Sequence, residues 1–336
     1  MAVWFCHDSP MLRLLPLLVL GALLLPATAQ ASSGDPRFPD ISLAQTLRVS
    51  ALATWGGEYT VSDGYKVHVL TSDVYPVDEA ANQRVADFLD SALHGPEIET
   101  VTIYRVSPSE ITQDCGSADA LACYSPDMKS IVTPVEPATA DFTPQAALLH
   151  EYGHHVANSR RNPPFKPTVD FGPKRWATYE NVCALWKSGK LVPGAESFPD
   201  YTVNPGEGWA EAYRVVNEGR LGLPQEDIVV SSRFQPNARA ASLVTQDVVN
   251  PWKQGPSSTL AGRLAAGRSR TYRVSTPLDG NFSVRGPAGL RLSVLGATKA
   301  KATTRSASAV VCGQRSVKIR VTAKRALRYS LTVTKP

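Results

Sequence analysis

The first regular pattern in the chain is an alternation, Gly57-Glu58-Tyr59-Thr60-Val61-Ser62, repeated after Asp63-Gly64 as Tyr65-Lys66-Val67-His68-Val69-Leu70. Two period-two runs joined by an Asp-Gly step predict a β-hairpin. His68 is out of phase with Val67 and Val69 and is expected to face solvent. The period then lengthens. Between Asp78 and Leu93 the apolar positions Val85, Phe88, Leu89 and Leu93 share one helical face, and His94-Gly95-Pro96 closes the segment. His94 reads as a helix C-terminal residue that complements the dipole. Glu99–Val106 and Lys129–Thr133 return to strand patterns. Thr143-Pro144, an N-cap followed by proline in the first turn, opens a helix that Asn162-Pro163-Pro164 stops. A proline-rich stretch follows, with one helical piece at about Tyr179–Lys187. Asn204-Pro205 repeats the N-cap and proline signal and opens a helix expected to end near Gly219. The remainder up to Gly255 reads as helical fragments without chemistry.

From Pro256 the texture changes to short alternating runs such as Arg270-Thr271-Tyr272-Arg273-Val274, Leu290-Arg291-Leu292-Ser293-Val294 and Val317-Lys318-Ile319-Arg320-Val321, separated by Gly, Pro and Ser. Such spacing predicts an antiparallel β-sandwich. The expected architecture is therefore an α+β domain over residues 32–255 and an all-β sandwich over 256–336.

Residues 1–31 stand apart from this reading. Arg13 precedes an apolar run from Leu14 to Leu25, followed by Pro26 and the small-x-small sites Ala27-Thr28-Ala29 and Ala29-Gln30-Ala31. This is the layout of a cleaved secretory signal peptide, and it is short for a membrane span, which needs about 20 apolar residues. The unusual Met1–Pro10 segment makes Met11 an alternative start. A secreted, extracellular protein without a membrane span is the expectation. Loss of Cys6 leaves Cys115, Cys123, Cys183 and Cys312, an even number in an oxidising compartment. Two disulfides are expected, with three connectivities open. Cys115 and Cys123 flank a short loop and form the natural first pair; Cys183 with Cys312 follows by elimination.

Charge separates the two regions as sharply as periodicity does. Residues 256–336 contain 16 Lys/Arg and a single acid, Asp279, whereas residues 32–255 contain 18 Lys/Arg and 28 Asp/Glu. An acidic body thus carries a basic tail, an asymmetry that points to attraction between the parts or to an anionic cell-envelope polymer as partner. The default role of basic residues at polar strand positions is a solvated face. No aromatic platform for nucleic acid is present, and none is expected to bind.

The chemistry concentrates in His150-Glu151-Tyr152-Gly153-His154-His155. On a helix His150 and His154 lie one turn apart on one face, with Glu151 beside them, so two imidazoles can hold a metal while a carboxylate reaches its bound water. A third ligand is needed. Position 160, where a metzincin has histidine, is Arg160; Glu180 is the nearest carboxylate to thermolysin-like spacing. Glu207, one turn before Glu211 on its own helix, is the better choice. His155 is rotated about 100° from the ligand face, and a structural or supporting role is favoured over metal binding.

Together with Glu207-Gly208-Trp209-Ala210-Glu211-Ala212-Tyr213, the histidine motif resembles the gluzincin-type zinc metallopeptidases that include the catalytic domain of anthrax lethal factor. The likeness covers roughly Trp55–Gly219 and implies a zincin-like fold, one Zn²⁺ held by His150, His154 and Glu207, and Glu211 orienting a zinc-binding histidine. It also implies peptide hydrolysis by a metal-activated water, with Glu151 as general base and a tyrosine assisting the oxyanion. Tyr201 is the assigned tyrosine, with Tyr179 and Tyr213 as alternatives. In zincins the last strand before the motif helix, here Lys129–Thr133, is an exposed edge to which an extended peptide substrate can add. The departures are a proline-rich insertion between the motifs and an approximate match at Tyr201. The tail resembles sandwich modules appended to bacterial secreted peptidases. Two rival functions share these residues: a non-catalytic envelope-binding protein on a metallopeptidase scaffold, and a cell-wall peptide amidase.

Overall fold

The computed structural model describes residues 54–116, 120–137 and 142–336. The apolar leader with Cys6 and Met11 lies outside the described residues. The Asp-Gly step does make a hairpin: β1 (Thr54–Thr60) and β2 (Lys66–Ser72) pair antiparallel, and Gly64 takes φ 83° in the turn, a left-handed conformation that suits glycine. Helix α1 (Glu79–Ser91) is capped by Asp78, which accepts from the Ala81 N–H. Then come β3 (Thr102–Val106), α2 (Pro108–Cys115), β4 (Cys123–Ser125) and β5 (Ser130–Pro134).

The five strands form one mixed sheet in the order β1-β2-β3-β5-β4, with β2, β3 and β5 parallel and the two edges antiparallel. Strand β5, expected to be the exposed edge, is instead buried along its length between β3 and β4. The edge is the three-residue β4, folded back on β5 after the Cys115–Cys123 disulfide. A strand this short carries too little periodicity to be read from sequence.

Val67, Val69, Ile103 and Ile131 face one side of the sheet and share a core with residues of α1 and with Leu148, Leu149 and Tyr152 of α3 (Pro144–Asn158). Val106 and Val132 face the other side, under Ile111 of α2. The helix predicted from Tyr179 resolves into α5 (Lys174–Tyr179) and α6 (Val182–Lys187), broken where Asn181 adopts φ 54°, with α4 (Thr168–Phe171) ahead of them. Helix α7 (Pro205–Leu221) passes Gly219 and ends at Gly222, and α8 (Ala238–Val249) completes the region. Among the described residues no helix is long and apolar enough to cross a membrane.

The rest of the chain is all β. Strands β6 (Ser257–Leu264), β7 (Ser269–Ser275), β8 (Gly280–Arg285), β9 (Leu290–Leu295), β10 (Thr298–Ala302), β11 (Ser306–Val311), β12 (Ser316–Ala323) and β13 (Leu327–Thr334) form two antiparallel sheets, β10-β11-β8-β13-β6 and β7-β12-β9. Both sheets point alternate residues into one core; Val317, Ile319 and Val321 of β12 are fully buried there beside Phe282 and Leu331. Each such side chain contributes roughly 1.5–3 kcal/mol by leaving water.

The two regions are joined by the Cys183–Cys312 disulfide, the pairing expected by elimination. Asp279, the tail's lone acid, is buried beside this link. It takes Arg315 at 2.8 Å and the Gly313 N–H at 2.8 Å, while Arg315 also donates to the Thr178 carbonyl at 3.1 Å.

Candidate metal centre

Helix α3 is buried along nearly its whole length, from Ala146 to Ala157. Thr143 caps it by accepting from Ala146 N–H at 3.1 Å. Helix α7 crosses it closely. A Cβ on Gly153 would lie 3.0 Å from the Ala210 Cα and 3.2 Å from the Tyr213 Cβ, so the small residues at 153 and 210 set the approach of the helices. The Trp209 indole N–H donates to the Gly153 carbonyl at 2.7 Å and pins the crossing. Asn204 caps α7 through the Gly206 N–H, and Glu207 stands in the first turn, where the helix dipole favours a carboxylate.

This crossing brings His150, His154 and Glu207 together, with all three ligand atoms within 4.8 Å of one another and all three residues buried. The His150 Nε2 lies 3.1 Å from Glu207 Oε2, and the His154 Nε2 lies 3.4 Å from Glu207 Oε1. A tetrahedral ion with bonds of about 2.0–2.1 Å separates its ligand atoms by about 3.3 Å, so the spacing suits a metal. The nitrogen and oxygen donor set suits one as well. The group could hold a metal ion.

The surrounding residues fix the histidine that matters. Glu211 Oε1 takes the His150 Nδ1 at 2.7 Å, which leaves Nε2 facing the site. Glu211 is held by Arg214 at 2.7 Å, and Arg214 by Glu218 at 2.5 Å and by the carbonyls of Glu226 and Asp227. Burial opposes charge on His150, but its hydrogen bonds to Glu207 and Glu211 outweigh that and hold it well above the usual histidine value. Burial alone would raise Glu207; the charge of His154 and the hydrogen bonds from both histidines override it and hold the carboxyl far below the usual range. Glu151 has no such hydrogen bonds. Burial raises it, and the two histidines offset this only in part, leaving a carboxylate with a stronger affinity for a proton than usual.

The site opens into a cleft of about 640 Å³. Tyr201 lines it and hydrogen-bonds Glu207; burial, then the Glu207 charge, hold its hydroxyl protonated. Tyr179 instead bonds Asn237 at the surface, and the buried Tyr213 donates to the Leu93 carbonyl, so neither alternative reaches the cleft. His155 points away from the ligand face. Its ring nitrogens meet the Tyr124 hydroxyl at 3.0 Å and the Glu97 carbonyl at 2.9 Å, and burial lowers its affinity for a proton. Glu180 lies outside the cleft, and Arg160 forms a buried two-point ion pair with Glu97 at 2.7 and 3.0 Å.

Four cleft residues escape the sequence reading. Tyr124 on β4 stacks against the His154 ring at 6.5 Å, and Phe198 stands on the rim, largely exposed. Asp170 and Glu196 also line the cleft, each raised to about 7 chiefly by burial. Nothing local marks them, since Asp170 and Glu196 sit in the proline-rich stretch and Tyr124 follows a disulfide loop. A second group, Asp63, Asp90 and His94, also gathers ligand atoms. There Asp63 is exposed and Asp90 and His94 are half-buried, and none of the three lines the cleft. No protein-family model matches the sequence, and no curated protein matches it.

Proposed function

We propose that the chain is a secreted, zinc-dependent metallopeptidase with a zincin-like catalytic region. The observation that carries this reading is the convergence of the two Nε2 atoms and the Glu207 carboxylate at near-tetrahedral spacing, beside the proton-accepting Glu151 and at the floor of an open cleft. Zinc bound there would supply a Lewis acid and a water acidified toward neutral pH. His150, His154 and Glu207 would hold the ion. Glu211, braced by Arg214, would keep the His150 imidazole in the one tautomer that leaves Nε2 available.

Glu151 accepts the proton of the attacking water and returns it to the leaving amine, a role its raised proton affinity favours near neutral pH. Tyr201 donates its hydroxyl to the carbonyl oxygen of the bond being cleaved, having exchanged its bond to Glu207 for one to substrate. The edge strand β4, whose Tyr124 lines the cleft, offers main-chain groups to an extended peptide. The apolar leader and the two disulfides support an extracellular setting.

The test combines metal analysis with cleavage of an unfolded protein by the wild type, a chelated sample and Glu151→Gln. One zinc per chain, with cleavage falling roughly 10²- to 10⁴-fold in Glu151→Gln while zinc stays bound, supports the reading. A metal-free protein, or cleavage indifferent to Glu151, overturns it.

A further inference from the structure

The tail's outward cations crowd more closely on the smaller of its two outer faces. On the three-stranded sheet the outward positions are Arg273 on β7, Lys318 and Arg320 on β12, and Arg291 on β9, all exposed. The register sets Lys318 directly opposite Arg273, Arg320 opposite Thr271 and Ser293, and Thr322 opposite Arg291. Strand geometry puts the nearest cations about 5–7 Å apart, across one strand or two residues along it. None of these three strands contains an acid, and the tail's one acid is consumed at the junction with the α+β region. Like charges directly opposite in an antiparallel pair destabilise it. The intervening outward positions are Ser269, Thr271, Ser275, Ser293, Ser316 and Thr322, which add hydroxyl donors between the cations.

The five-stranded sheet differs in two ways. Its four outward cations are spread over a wider sheet: Arg263 and Arg328 stand directly opposite each other on β6 and β13, whereas Arg285 on β8 and Lys301 on β10 lie apart from them. It is also partly covered, because Val310 on its outward side packs against the core of the α+β region, next to the disulfide-bonded Cys312. The acidic body therefore abuts the five-stranded sheet and leaves the three-stranded face open.

We infer that the outer face of β7-β12-β9 is a docking surface for a linear phosphate-bearing polyanion, which lies across the strands with its phosphates over Arg273, Lys318, Arg320 and Arg291. The face has no aromatic side chain for stacking bases and a single exposed apolar one, Leu295, for insertion into lipid. The occupant that fits is a flexible phosphodiester chain without bases. Neutralising its charge relieves the repulsion between Lys318 and Arg273, and the hydroxyls donate to phosphate oxygens. This inference is independent of the metal centre.

The test measures binding of the full-length protein to a fluorescent abasic phosphodiester oligomer as a function of salt. Two variants with equal charge loss are compared: Arg273→Thr/Arg291→Thr/Lys318→Thr/Arg320→Thr, and Arg263→Thr/Arg285→Thr/Lys301→Thr/Arg328→Thr. Threonine keeps strand propensity at these solvent-facing positions, and zinc content and unfolding midpoint check the fold. The first variant is expected to lose affinity on the order of a hundredfold and to flatten the logarithmic salt slope by about 3, at about 0.7 for each lost contact. The second keeps most of both. Equal losses in the two variants would reduce the effect to net charge and overturn the inference. So would wild-type protein that ignores the oligomer, or that prefers anionic lipid vesicles or single-stranded DNA to it.

Discussion

The two regions use charged residues in opposite ways. In the α+β region they are taken inside: Glu97 with Arg160, Asp247 with Arg175, and Glu211 with Arg214 and Glu218 are ion pairs whose acids are almost wholly buried. In the β region no cation among the described side chains is buried, eight stand at outward strand positions, and the core beneath is built from Val, Ile, Leu, Phe, Tyr and Ala that alternate along the strands with those outward residues. Burying an ion pair gives little net stability, because desolvation offsets attraction, but it fixes geometry, since each partner penalises any other arrangement. A region that has to hold two imidazoles and a carboxylate within a few ångströms gains from such constraints. A region that presents a surface does not.

The strongest way to break this contrast is to remove a buried charge. Glu211→Ala frees the His150 ring and leaves Arg214 short of one partner, so it is expected to cost about 3–5 kcal/mol in denaturant unfolding. The affinity of the site for a metal ion is expected to fall about 10- to 100-fold. A cost below about 1 kcal/mol would show that the cluster does not hold the helices.

A smaller effect is expected at Lys174, a buried amine at the seam of the two regions. It donates to the Pro163 carbonyl at 2.9 Å and would touch a side chain placed at Gly280 of β8. Burial lowers its pKa to about 8, against 10.5 in the unfolded chain, with Asp279 and Asp247 only partly compensating. Between those values the unfolded state binds more protons than the folded one, so stability rises with pH across about 8 to 10.5. The full span is worth about 3 kcal/mol at roughly 1.4 kcal/mol per unit. Stability curves of the wild type and Lys174→Met are expected to converge by that amount over this window; parallel curves would place the ammonium in water.

The smallest effect belongs to the open face. Arg320→Thr is expected to change unfolding free energy by no more than about 0.5 kcal/mol in either direction. A large loss would mean that the exposed cations are structural after all.

The same contrast explains what the sequence makes legible. His150, Glu151 and His154 are readable because one helical turn is a local fact, and Glu207 with Glu211 because their helix announces itself through Asn204-Pro205. The alternation of β7, β9 and β12 is readable for the same reason, down to which residues face outward. Asp170 and Glu196 reach the cleft only because chain segments far apart in sequence fold around it, and no spacing records that. Strand β4 is hidden by its length, and its edge position follows from a disulfide and a sheet order rather than from any pattern of its own.

The Cys183–Cys312 link has a consequence for how the protein is made. Synthesis runs from the amino end, so Cys115, Cys123 and Cys183 are all made before Cys312, and over the 129 residues of separation Cys183 is a thiol without its partner, able to attack the Cys115–Cys123 pair. A truncated product ending before residue 312 would carry that thiol permanently. Production in a host that lacks disulfide exchange is therefore expected to yield scrambled or cross-linked material, separable from the native form on a non-reducing gel.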